Sequence, residues 1–319
     1  MLRTFIGVDV SKDYLDAHVR PASLRQRFAN TTAGIALLVA WVRPHAAERI
    51  VFESTGPYQK AAVGALLAEG LPAVVVNARQ VRDFAKAMNY LAMTDTIDAG
   101  VIAHFAEVAA TTVRPLESQE LRELRELYDR RGQLVSILVM EKNRRHSAAV
   151  AQASAKVLKD IDKLIDYLEK HMRELEQRMD QLIENTTAFR SRNDILQTIT
   201  GIGPQVSRTL IAYLPELGQH SRQAITALVG LAPFNDDSGE HRGPRHIRGG
   251  RSKVRVGLYQ AAIAAIRHCQ RMKAFYASLK ARGKASRVAI IAVARKLLVL
   301  ANAMVRDMKP YKAPANSIC

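Results

Sequence analysis

The sequence predicts a mixed α/β domain, then a long two-helix coiled-coil arm, then a mainly α-helical basic domain. Three observations predict it. Short apolar or alternating runs separated by helical stretches fill residues 1–115. From Ser118 to Phe189 there is no proline and one glycine, Gly132, while apolar residues recur at helical spacing. Residues 191–319 alternate apolar helical runs with glycine turns and carry 21 Lys+Arg against 6 Asp+Glu. The counts are 12 against 10 in residues 1–115 and 14 against 14 in 116–190, so nearly all of the net charge of +17 lies in the last region. The expected units are 1–115, 116–190 and 191–310, with a frayed tail at 311–319.

In the first unit, Phe5–Val10 is a short apolar run and Tyr14–Val19 alternates as a paired strand does. Arg25–Asn30 makes a third strand, Gly34–Val42 has helical spacing, and Arg49–Glu53 is a buried-type strand ending in an acid. Tyr58–Glu69 is helical with Gly70 as its C-cap, Leu71–Val76 is a further strand, and Arg79–Ala87 and Thr96–Ala109 are helices. Three strands followed by alternating helices and strands give a mixed sheet with helical cover. In the arm, Leu121, Leu124, Leu127, Leu134 and Leu138 mark one helix. A second carries Leu158, Ile161, Ile165, Leu168, Leu175, Met179 and Leu182, with the break near Asn143–Ser154. The last unit opens as helix, Gly201-Ile-Gly203-Pro204 turn, helix. A segment rich in Gly, Arg and His follows at Pro233–Ser252, and then helices at Val256–His268 and Ser286–Asp307.

The charge of the last unit points to a polyanionic partner bound through phosphate. Cys269 and Cys319 are too few for a disulfide framework, and no Cys/His cluster has zinc spacing. The start lacks the n-region and h-region of a signal peptide, and Arg295 and Lys296 interrupt the most apolar late stretch, so a cytoplasmic protein with no membrane partner is expected.

Four acids stand out. Asp9 ends the first strand and Glu53 the later one, while Asp95 and Asp98 open a helix at i and i+3 and share one of its faces. An acid at the carboxyl end of a buried strand loses water without gaining a partner unless a cation supplies one. If the helix packs across the two strand ends, four carboxylates converge and need a counter-charge. Two Mg²⁺ ions roughly 3.5–4 Å apart provide it and suit phosphoryl transfer. A Gly-Val-Asp9-Val-Ser strand end also fits an actin-like ATPase, but the second phosphate loop of that fold is absent.

Ile-Gly-Val-Asp9-Val-Ser-Lys, Phe-Glu53-Ser-Thr-Gly-Pro-Tyr and Thr-Asp95-Thr-Ile-Asp98-Ala resemble the three acidic motifs of the Piv/MooV-type insertion-sequence transposases. These are also called DEDD transposases or bridge-RNA-guided recombinases. The resemblance runs from about residue 3 to 305. It implies an RNase H-like (RuvC-like) N-terminal domain, a coiled-coil arm and a C-terminal transposase domain. Leu196 to Pro204 resembles the helix-hairpin-helix turn that begins the second domain; Gly201 and Gly203 would let backbone N–H groups grip phosphate. Gly230-Leu-Ala-Pro233-Phe-Asn-Asp-Asp-Ser238-Gly matches the segment carrying the family's nucleophilic serine, which maps to Ser238. Met93 departs from the pattern, since the family usually has a lysine before the Thr-Asp pair.

By this resemblance the chain is an RNA-guided DNA recombinase that cleaves and rejoins donor and target DNA through a 5′-phosphoserine link, with Mg²⁺, a guide RNA and no ATP. The resemblance also implies a tetramer whose composite site is assembled between subunits. Arg242, Arg245, Arg248, Arg251, Lys253 and Arg255 lie around glycines in the Ser238 segment, and arginine forks suit phosphate. Asp237, Glu240 and His241 are the candidate bases beside the serine. Two rival readings are a metal-dependent nuclease of Holliday-junction-resolvase type, which would leave Ser238 idle, and a non-catalytic nucleic-acid scaffold.

Overall fold

The computed structural model describes residues 3–54, 56–90, 95–109, 117–234, 237–238, 241–242 and 246–312. The chain forms two compact units, residues 1–117 and 118–319.

The first unit is built on a five-stranded sheet of order β3-β2-β1-β4-β5. Its strands are β1 (Phe5–Val10), β2 (Tyr14–Arg20), β3 (Leu24–Ala29), β4 (Arg49–Ser54) and β5 (Ala73–Asn77). β1, β2 and β3 pair antiparallel, whereas β1–β4 and β4–β5 are parallel and need helical crossovers. Successive side chains alternate between the faces, so β1, β4 and β5 each feed two cores. Ile6, Val8, Val10, Leu15, Ala17, Ile50 and Phe52 pack under α1 (Thr32–Val42) and α2 (Lys60–Ala68). Phe5, Val51, Val74 and Val76 pack on the opposite face with α3 (Ala78–Ala87) and α4 (Asp95–Val108). Thr31 caps α1 by accepting from Gly34 N–H, and Asn77 caps α3 by accepting from Arg79 N–H. The mixed α/β reading of this region and the helical reading of the rest both stand.

The second unit begins with α5 (Gln119–Val150) and α6 (Ala155–Asn185), whose facing residues Leu134, Leu138, Leu168 and Leu175 form a small core of their own. α5 runs to Val150, deep into the stretch expected to be a break. Cross-helix ion pairs hold that last part: Lys142 to Glu169 at 2.7 Å and Arg145 to Asp162 at 2.7 Å. The body adds α7 (Thr187–Gln197), α8 (Pro204–Tyr213), α9 (Arg222–Val229), α10 (Ser252–His268), α11 (Gln270–Ala281) and α12 (Ser286–Arg306). Polar contacts seat α8 on α5 and α6, with Arg208, 5% exposed, donating to both carboxylate oxygens of Asp180 and Thr209 donating to Tyr128 at 2.6 Å. α12 is long and apolar enough to cross a membrane by length and composition. Its Val293, Ala294, Leu297, Leu298 and Ala301 are buried in the helical core against α7, α9, α10 and α11.

Two two-residue strand pairs occupy the segment expected to be irregular. β6 (Pro233–Phe234) pairs with β9 (His246–Ile247), and β7 (Asp237–Ser238) pairs with β8 (His241–Arg242).

Candidate active site

The position of α4 decides whether the acids meet. Gly7 lies in the middle of β1, and a Cβ there would come within 2.2 Å of Ala103 N and 2.4 Å of Ala99 O. Only a glycine lets the helix backbone rest directly on the strand. The far end of α4 is tied to the strand starts. Arg49, first in β4, donates to the Ala109 carbonyl at 2.8 Å and the Ala106 carbonyl at 3.4 Å. Arg20, paired with Phe5 at the start of β1, donates to Glu107 at 2.8 Å. Eight residues of helix from Ala106 back to Asp98 span about 12 Å, and four residues of strand from Arg49 to Glu53 span about 13 Å. The first turn of α4 therefore overlies the carboxyl ends of β1 and β4.

Asp9 and Glu53 stand at those ends. The parallel register pairs Val8 with Phe52, so one step further the two acids are level on neighbouring strands. Both are half-buried, as is Asp98. Burial first, then the negative charge of Asp9 and of Asp98, holds the Glu53 carboxyl above its usual value, against the opposing pull of Arg82 on α3. Asp95 opens the same helix three residues before Asp98; its side chain lies outside the described residues. Among the described residues no three His, Cys, Asp or Glu side chains stand close enough together to hold a metal ion. The donor chemistry nonetheless fits a hard divalent cation: oxygen ligands only, partly desolvated, with net negative charge.

Three neighbours of the acids were missed in the sequence. Asp16 faces Asp9 directly across the β1–β2 ladder, and Arg27 neutralises it through two bonds of 2.7 and 2.9 Å. Asn30 donates to the Ser11 carbonyl at 3.0 Å and the Tyr58 carbonyl at 3.3 Å, tying together the loops that follow the two acidic strands. Arg82 is the third. The polar alternation Tyr14-Leu-Asp16-Ala-His18 was a usable signal for Asp16; nothing local marks Asn30 or Arg82.

In the second unit, Ser238 lies on β7 with His241 as its backbone partner on β8. The side chains of Asp237, Ser238, His241 and Arg242 lie outside the described residues, as do Glu240 and Arg245 altogether. The other basic candidates have defined places. Arg248 stacks on Phe234 at 5.3 Å. Arg251 is forked onto Glu216 at 2.5 and 2.6 Å and donates to the Tyr213 carbonyl at 2.7 Å. Lys253 bonds Asp129 and, at 3.0 Å, the Tyr213 hydroxyl, whose proton burial and Asp129 hold more tightly than usual. Arg255 donates to the Gly249 carbonyl at 2.5 Å, where Gly250 presses against Val229 and Gly230. Of the turn glycines, Gly201 adopts φ +98° and faces Ala261 of α10, whose carbonyl a Cβ would meet at 2.5 Å. Gly203 is the N-cap of α8 and a Cβ there would meet nothing.

Two family models match the chain. A DEDD transposase model of the IS110 type covers residues 6–154, which include all four acids, and a model described as transposase IS116/IS110/IS902 family covers residues 193–277. The chain belongs to this transposase family. It is accordingly an enzyme of DNA recombination. Relatives of the transposase include the pilin gene-inverting proteins of Moraxella bovis, 25% identical, and Moraxella lacunata, 24% identical, each match covering 98% of both chains. The two matched regions divide the candidate residues of the transposase: the four acids fall in one, Ser238 and the turn glycines in the other.

Proposed function

We propose that this transposase breaks and rejoins DNA at sites chosen by a guide RNA, through a covalent 5′-phosphoserine intermediate on Ser238. In this reading the first unit is RNase H-like (RuvC-like), and Asp9, Glu53, Asp95 and Asp98 hold Mg²⁺. Bound there, the metal supplies positive charge against the phosphate in the transition state. Ser238 Oγ attacks phosphorus, the bond to the 3′ oxygen breaks, and that oxygen leaves as a 3′-hydroxyl after taking a proton. A 3′-hydroxyl from the other DNA then attacks the phosphoserine and restores Ser238. One phosphoester replaces another at each step, so no ATP is consumed. That economy suits inversion, which the names of the Moraxella relatives describe. Arg242, Arg245 and Arg248 grip the phosphate backbone near the serine, and Arg251, Lys253 and Arg255 shape the base of the segment. Donor and target DNA are paired by the RNA, and a tetramer joined partly through the arm assembles the composite site.

The observation that carries this reading is the meeting of Asp9, Glu53 and the first turn of α4, with the Glu53 carboxyl raised from its usual value by burial and then by its acidic neighbours. The test uses purified transposase with guide RNA, Mg²⁺ and matched DNA. Wild-type protein should yield a DNA adduct stable in denaturing gels. Ser238→Ala should remove both adduct and joined product, and Asp9→Asn should lower the rate at least about a hundredfold. Undiminished cutting by Ser238→Ala, without adduct, would instead assign the acids to a hydrolytic nuclease.

A further inference from the structure

A cavity of the second unit, about 1160 Å³, lies between α10, α11, α12 and the β6–β9 pair. Its charge is one-sided. Arg222, His246, Arg255, Arg287, Arg295 and Lys296 line it, and among the described residues no Asp or Glu does. Its floor is apolar, with Val256 and Val288 respectively 61% and 55% exposed and the rings of Tyr259 and Phe275 among the lining. Lys296 sits over the Phe275 ring at 4.3 Å, so cation and aromatic face are already paired there.

A cationic rim invites a polyanion, but an apolar, aromatic floor wastes nothing on a closed duplex, which presents only phosphate and sugar to such a surface. Unstacked bases have both faces bare and gain by lying on rings. Duplex backbone would leave the exposed valines in water; a single strand covers them while its phosphates reach the arginines. The groove also adjoins the proposed nucleophile. β6 forms part of its wall, and the four residues from Phe234 to Ser238 reach at most about 14 Å.

We propose that this groove receives single-stranded DNA, the strand opened beside the scissile phosphate, with bases against Tyr259 and Phe275 and phosphates on Arg287 and Arg295. The proposal rests on the recombinase reading for the identity of the strand, but binding can be measured without any cleavage. The probe is a fluorescein-labelled mixed-sequence DNA strand of roughly twelve nucleotides, with its duplex and the matching RNA strand as comparisons. Full-length transposase free of RNA is titrated by anisotropy across a range of salt concentrations.

Val288→Glu places a negative charge on the exposed floor without touching the core. It should weaken binding of the DNA strand at least about tenfold and change duplex binding less than about twofold. Arg287→Gln with Arg295→Gln should reduce the salt slope for the strand by about 1.4, the value for two phosphate contacts on single strands. Equal losses for strand and duplex would overturn the proposal in favour of a general backbone surface. Tighter, Val288-sensitive binding of the RNA strand would assign the groove to the guide. A change in sedimentation with unchanged DNA binding would assign it to a second copy of the chain. If Ser238→Ala fails to abolish joining while these binding shifts appear, the groove stands and the covalent mechanism falls.

Discussion

At Glu53 two influences act in one direction: burial strips water from the carboxylate, and Asp9 and Asp98 add like charge, with Arg82 opposing them. The folded state therefore holds the Glu53 proton more tightly than the unfolded chain does. Such a group opposes folding at neutral pH, and the cost disappears as pH falls below the ordinary carboxylate value. Glu53→Gln should raise the melting temperature of EDTA-treated protein at pH 7.5 by about 1–3 °C. The gain should shrink towards pH 4, and an unchanged or lower melting temperature at pH 7.5 would contradict the account. His18 gives the opposite dependence. It is 5% exposed, its Nδ1 accepts from Arg25 at 2.9 Å, and burial followed by Arg25 and Arg20 holds the imidazole below its usual value. The unfolded chain takes that proton first, so stability present at neutral pH is lost as pH falls below about 6.5. Urea midpoints should show wild type ahead of His18→Gln at pH 7.5, with the gap narrowing at pH 5.5; a constant gap would mean that the imidazole does not titrate there. Asp9 and Glu53 were legible as strand-end acids because the apolar runs before them are short and unbroken. The neighbours Asn30 and Arg82 were not, since each reaches the site across tertiary contacts that leave no local pattern.

At the level of elements, α4 on β1 is the contact that brings the acids together. Gly7→Ala forces a methyl into the helix backbone and should destabilise the first unit by about 1–3 kcal/mol or more. Gly64, inside α2, meets nothing within 4 Å of an added Cβ, so Gly64→Ala should stabilise by about 0.5–1 kcal/mol. Denaturant unfolding that gives the two substitutions the same sign would refute the close-approach argument. Among the described residues of this unit, β1, β4 and β5 were legible as short unbroken apolar runs and β2 by its alternation. α11 was not: Gln270–Ala281 is punctuated by Arg271, Lys273 and Lys280, and only Met272 is buried, so it has almost no apolar stripe of its own. The extension of α5 was hidden for a related reason, because Asn143 to His146 is held by the Arg145–Asp162 ion pair with α6 and by helix continuity, not by buried leucines. β6 to β9 are two residues each, too short for any periodicity to register.

Over the whole molecule, charge and chemistry are divided between regions. Residues 191–319 hold 21 basic and 6 acidic side chains, and residues 118–319 have a core of their own. A fragment of residues 118–319 should keep most of the non-specific DNA affinity and nearly the full salt slope of the intact chain, while residues 1–117 should bind duplex weakly. Removing one phosphate-binding cation should lower that slope by about 0.9. A fragment of residues 118–319 with less than half of the full slope would show that the first unit helps hold the backbone. The basic excess was plain from counting, but the surroundings of individual cations were not: nothing local shows that Arg251 pairs with Glu216 and Lys253 with Asp129, from distant parts of the chain. The seat of α4 on Gly7 has a last consequence. Peptide planes there touch peptide planes, with no rotatable group between them to slip or be remodelled. The spacing of the acids is thus insulated from drift in the surrounding hydrophobic interior. Descendants of this chain can exchange valines for isoleucines around it for a long time and still keep the same calibrated gap.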